Sequence, residues 1–211
     1  MATRRRRKAA APPDDAAVFA AAMALAALQG WADTTLGNIA DKAGLAPETL
    51  SGRFADKRAL LDGFAQHIDE RMAAGEPVEA EGSVRDRLFD SLMRRFDALA
   101  PYRQGVAAVL RELAWRPGVL ACAGTGPFRR SLSAIARLAA APDWGPLRGL
   151  QLKGIAIVYL LALRVFLTDD SADLAKTMAE LDRRLGQVET LLRALPGVAG
   201  RRNPPRPGAP G

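Results

Sequence analysis

Between Thr34 and Leu61 the chain carries helix start and stop signals so close together that only short helices fit between them. This punctuation constrains the fold more than any other feature. Thr34 or Thr35 can cap a helix whose Leu36, Ile39, Ala40 and Ala43 recur at helical spacing. Gly44 supplies the stop and Leu45 plugs the turn behind it. Pro47 stands at the first position of the next helix, where its missing N–H costs nothing. That helix carries Glu48, Thr49, Leu50, Ser51, Gly52 and Arg53 and ends near Phe54. Asp56 then caps a longer one running from Lys57 to about Ala74. Two short helices across an Ala-Gly-Leu turn, preceded by a helix from Asp14 and Asp15 to Gln29, spell a helix-turn-helix.

The remainder of the chain offers little to build strands from. Ala, Leu and Arg dominate its 211 residues, aromatic residues make up 6%, and β-branched ones are scarce. Beyond the acidic, proline-containing stretch from Gly75 to Gly82, Ser83 caps a helix to Leu99 with Val84, Leu88, Leu92 and Phe96 on one stripe. Pro101 opens another that reaches Trp115, a further one spans about 128–141, and two longer ones cover about 147–167 and 172–195. The fold class is all-α, with about nine helices. A helix-turn-helix domain over 14–61 leads into a helical domain over 62–196, between a basic arm at 1–13 and a basic tail at 197–211.

The net charge of +7 belongs to those two ends. Arg4, Arg5, Arg6, Arg7 and Lys8 stand in the arm and Arg201, Arg202 and Arg206 in the tail, which leaves the body close to neutral. Such an arm suits a phosphate backbone, and equally serves as a solvated tail. Cys122 is the only cysteine, so no intramolecular disulfide forms, as in a reducing cytoplasm. The arginine run leads into Ala-Pro-Pro-Asp-Asp and not into the apolar core of a signal peptide. The most apolar run, Ile155 to Leu163, is shorter than the roughly 20 residues a bilayer crossing needs. A soluble cytoplasmic protein without a transmembrane segment is expected.

Enzyme chemistry finds no purchase here. His67 is the only histidine, and no paired-Cys, His-x-x-x-His or Gly-x-Ser-x-Gly spacing exists. Gly124, Thr125, Gly126 and Pro127 are followed by no Lys-Ser/Thr pair and so make no phosphate loop. No metal or cofactor is expected.

Thr34, Thr35 and Leu36, then Ile39 and Ala40, Ala43, Gly44 and Leu45, Thr49 and Leu50, Phe54, and Lys57 with Leu60 and Leu61 resemble the TetR family of bacterial repressors over about 15–65. The resemblance implies that Thr34 or Thr35 touches a phosphate. It places Pro47, Glu48 and Thr49 on a recognition helix and Lys57 against the DNA backbone. Where the family has an aromatic residue after Thr-Leu and often a His before the Phe, this chain has Ser51 and Arg53. Ser51 can donate one hydrogen bond to a phosphate and Arg53 can supply charge. Glu48 repels phosphates unless it accepts from a cytosine amino group. Over residues 31–60 the acids Asp33, Asp41, Glu48 and Asp56 balance Lys42, Arg53, Lys57 and Arg58, so the helix-turn-helix is neutral.

The same resemblance implies a homodimer on a double-stranded DNA operator, joined through the last two helices. Leu150, Ile155, Ile157, Val158, Leu160, Leu161 and Leu163 cover more than one face of the first of that pair, which therefore needs covering by its own core or by a partner. A small apolar effector would lie among Phe96, Tyr102, Leu110, Trp115, Phe128, Ile135 and Tyr159, residues that ordinary core packing would also explain. A second resemblance competes. Val84-Arg-Asp-Arg-Leu88, Arg94-Arg-Phe-Asp97 and Leu181-Asp-Arg-Arg-Leu185 are similar to TetR-like accessory proteins of ubiquinone biosynthesis, which keep the fold, bind isoprenoid lipid and lack typical DNA recognition. In that case the arginine arm would serve anionic membranes.

Overall fold

A computed structural model describes residues 15–75, 82–114 and 126–194, and all regular structure among them is helical. In chain order the helices are α1 (Asp15–Gln29), α2 (Leu36–Ala43), α3 (Pro47–Ser51), α4 (Lys57–Ala73), α5 (Val84–Leu99), α6 (Arg103–Ala114), α7 (Gly126–Leu138), α8 (Arg148–Phe166) and α9 (Ala175–Ala194). Single 3₁₀ turns precede α6 (Ala100–Tyr102) and α8 (Gly145–Leu147). The Pro101 start expected for α6 is such a turn. Trp115, Cys122, the basic arm and the basic tail lie outside the described residues.

The chain forms two compact units, one of Met1–Glu76 with Arg94–Ala134, the other of Pro77–Met93 with Ile135–Gly211. In the first, α1 packs on α2 and α6. Its core is Val18, Phe19, Ala22, Met23 and Ala26 with Ile39, Leu50, Leu60, Phe64 and Ile68. The Phe19 ring lies 5.9 Å from Phe54 and 5.8 Å from Phe64, and Phe64 meets Tyr102 edge-on at 5.2 Å. Such tilted and edge contacts suit the ring quadrupoles. The α1–α6 contact is tight: a Cβ on Gly105 would stand 2.3 Å from the Met23 carbonyl oxygen, so only glycine admits this approach. His67 packs 5.3 Å from the Phe19 ring, as a packing residue.

One buried ionic group ties α4 to α5 and α7 within this unit. Arg95, 5% exposed, pairs with Asp69, whose second oxygen accepts from Ser131 Oγ at 2.7 Å. Two partners on one carboxylate offset the desolvation that an isolated charge would suffer.

The second unit is built on α8 and α9. Leu152, Ile155, Val158, Ala162, Leu163 and Phe166 are buried along α8, with Leu181 and Leu185 buried on α9. Arg85 reaches Asp182 at 2.6 Å, and Arg87 donates to the carbonyls of Ala139 (2.8 Å) and Gly82 (2.6 Å). Ser83 caps α5 as expected, in a reciprocal arrangement with Asp86: its N–H and hydroxyl donate to the carboxylate at 3.0 and 2.8 Å. Those hydrogen bonds hold the Asp86 carboxyl below its ordinary value.

The start of α9 departs from expectation. It opens at Ala175 rather than near 172, because Leu174 takes a left-handed φ of 58° and the turn before it is organised by Asp169. That carboxylate is 1% exposed. It accepts from the Thr177 N–H at 2.8 Å, the Thr177 hydroxyl at 2.6 Å, the Ser171 N–H at 3.0 Å and the Ser171 hydroxyl. Burial pushes its pKa up, but the four hydrogen bonds outweigh burial and hold it far below the carboxylate range.

The expectation about membrane length also changes. The apolar run belongs to a longer helical segment, Gly145–Phe166, 22 residues whose most apolar 18-residue window has mean hydropathy 1.6, long and apolar enough to cross a bilayer by length and composition alone. The sequence run stopped at nine residues because Lys153 and Arg164 bracket it, whereas the helix continues through both. Burial accounts for 39% of its apolar window.

Candidate nucleic-acid interface

The second and third helices are set by local signals. Thr35 is the N-cap of α2, and its hydroxyl oxygen accepts from the Asn38 N–H at 3.1 Å. Gly44 closes α2 with φ at 70°, a left-handed conformation, and the Leu45 N–H returns to the Ala40 carbonyl at 2.9 Å. Pro47 is the first residue of α3. Leu50 is wholly buried beneath α3 while Pro47, Glu48, Thr49, Ser51 and Arg53 are exposed. Asp56 caps α4 by accepting from the Ala59 N–H at 2.7 Å. The result is a short helix with one apolar anchor and a polar outer face.

Thr34 and Thr35, adjacent in sequence, have opposite roles. Thr34 is fully buried, and its hydroxyl donates to the Gly30 carbonyl at 2.7 Å. As a phosphate contact it is withdrawn: the α1–α2 turn needs its hydroxyl inward. Thr35 is the exposed member of the pair. Lys57 is half-buried; its ammonium donates to the Trp31 carbonyl and, at 3.2 Å, to the Ala32 carbonyl, and lies 4.6 Å above the Trp31 ring. It therefore ties the start of α4 to the α1–α2 turn. Ser51 donates to the Glu48 carbonyl at 3.2 Å. Arg53 pairs with Asp15 at 2.5 Å, bringing the first turn of α1 against the end of α3.

Three residues join this region that the sequence did not mark as site residues, although Arg58 entered its charge balance. Asn38 is exposed beside Thr35 on α2, and its position three residues after a cap was the available signal. Arg58 is exposed at the start of α4. Glu112 of α6 accepts from the Trp31 N–H at 2.5 Å, a pairing across 81 residues for which the sequence carries no local sign.

Residues 18–63 match the sequence profile of bacterial regulatory proteins of the tetR family. This stretch spans α2 and α3, so the match falls on the helix-turn-helix. Solved structures share the fold across most of the chain. A TetR transcriptional regulator from Nitrosomonas europaea superposes with TM-score 0.67 at 19% identity, covering 83% of this chain and 98% of its own. A TetR transcriptional regulator from Rhodococcus sp. RHA1 gives 0.58 at 17% identity, covering 82% and 93%. A search of curated proteins finds no match to the sequence. The helix-turn-helix here holds two of its four cations, Arg53 and Lys57, against the protein's own oxygens.

The expected effector-site residues divide between the two units. Phe96 and Tyr102 are buried and Leu110 and Phe128 half-buried in the first; Ile135 and Tyr159 are buried in the second. Trp115 is outside the described residues.

Proposed function

We propose that the chain is a DNA-binding transcriptional regulator of the TetR type, a homodimer that occludes a double-stranded operator and releases it when a small apolar ligand binds. One observation carries the reading: α3 turns Glu48, Thr49 and Ser51 outward over a buried Leu50, beside the exposed cap Thr35. A helix presented this way can enter a major groove with its N-terminal residues at base edges. Thr35, Ser51 and Arg53 serve phosphates, Pro47 and Thr49 approach the bases, and Glu48 accepts from a cytosine amino group. Lys57 and Thr34 act from behind, by holding the turn.

The exposed stripe Leu150, Ile157 and Leu160 on α8, with Leu191 on α9, supports dimerisation through the last two helices. Two copies so joined would place recognition helices in successive major grooves about 34–36 Å apart. Phe96, Tyr102, Leu110 and Phe128 are the side chains proposed to face the effector. The seven residue-to-residue steps from Lys8 to Asp15 span at most about 25 Å, which would keep the arginine arm within reach of the same duplex.

A second reading has a specific observation behind it. Two of the four cations of the helix-turn-helix, Arg53 and Lys57, already have protein partners and Glu48 is exposed, which weakens the attraction for DNA, as in a TetR-fold protein that binds lipid instead. Binding of the purified protein to a fluorescent fragment of its own upstream DNA, titrated at several salt concentrations against scrambled competitor, separates the two. The regulator reading expects binding that survives competitor and weakens steeply with salt. Binding that competitor abolishes, together with retention of isoprenoid lipid on the purified protein, favours the second reading.

A further inference from the structure

We infer that Asp15 is an internal competitor of DNA for Arg53, which lowers the sequence-independent part of duplex binding; this rests on the DNA-binding reading above. Arg53 lies just past α3 and is exposed. Its guanidinium meets Asp15 at 2.5 Å, with side-chain exposures of 35% and 41%. The Asp15 Oδ1 atom is itself enclosed and makes no aligned hydrogen bond there, so the contact is ionic. A partly exposed pair of this kind contributes little to stability.

A phosphate offers the same guanidinium a charged partner that can accept two parallel N–H bonds. Two of the charges nearest in sequence are already engaged elsewhere. Asp56 is committed to the Ala59 N–H, and the Lys57 ammonium to two carbonyls. When Arg53 turns to a phosphate, the Asp15 carboxylate stays behind at the edge of the interface and repels the DNA backbone. Any duplex must therefore displace an acid before it gains this cation. Phosphate contacts carry no sequence information, so the penalty falls equally on all sequences.

The test measures binding of the full chain to its upstream fragment and to a scrambled duplex, at low and at physiological salt. The proteins compared are the unaltered chain, Asp15→Asn, Arg53→Gln and the double variant, with helical content and melting temperature followed in parallel. The expected result is that Asp15→Asn tightens binding to both duplexes about threefold at low salt. The gain should fade as salt rises and vanish in the Arg53→Gln background. Unchanged or weaker binding by Asp15→Asn, with the unaltered chain still binding in a salt-sensitive way, overturns the inference and leaves the DNA reading standing. A gain that persists without Arg53 also overturns it, because the effect would then be one of net charge. Absence of salt-sensitive binding by the unaltered chain and by Arg53→Gln alike overturns both.

Discussion

The helix-turn-helix and the α8–α9 pair expose opposite kinds of surface. In the first, one buried Leu50 anchors a helix whose remaining face is polar, and caps at Thr35, Gly44 and Asp56 fix the ends. In the second, a long helix buries one face on its neighbour and leaves Leu150, Ile157 and Leu160 in the open. Leu150 and Ile157 are about two turns apart and so share a side of the helix. Local hydrogen bonds shape the polar surface, while apolar packing shapes the other and remains incomplete in one chain. Under the proposed function the two regions meet different partners, a polar groove and a second apolar helix pair.

That contrast can be broken most forcefully at Ile157. Its replacement by Asp places a charge in the open apolar stripe. If the stripe is a dimer interface, burying that charge should weaken association about 100-fold, or roughly 3 kcal/mol, with helix content retained. Light scattering with sizing at micromolar concentration reads this directly, and an unshifted mass would place the interface elsewhere.

A second test separates the regions by pH. The Asp169 carboxyl is held far below its usual value, so the stability it provides is complete above the unfolded pKa of about 3.9 and is lost as pH falls below it toward the folded value. Asp169→Asn should cost about 2 kcal/mol at neutral pH and flatten the decline in acid. Urea melts of both proteins at pH 6 and pH 3 check it; parallel losses in acid would show that other carboxylates dominate.

The smallest effect is expected at Lys57. Replacement by Met removes two carbonyl contacts and the stacking on Trp31, for a loss of about 1 kcal/mol. The salt dependence of duplex binding should hardly change, since the ammonium serves the fold. A slope shallower by about one would instead make Lys57 a phosphate contact.

Where signals are local, the sequence was enough. Pro47 at the start of α3, Gly44 after α2, Ser83 before α5 and Asp56 before α4 act on backbone groups within a few residues, so their effect can be read without knowing the fold. The all-α class followed from helix-favouring composition and periodicity in the same way. Side-chain direction was another matter. Thr34 and Thr35 are both plausible caps in sequence, and only the packed turn decides that one hydroxyl faces Gly30 and the other faces solvent. The partners of Arg53, Lys57 and Asp69 lie far along the chain, and an ion pair depends on distance in space, which tertiary packing alone fixes. For the same reason the sequence set how apolar α8 is, while the fold decided which of its faces remains uncovered.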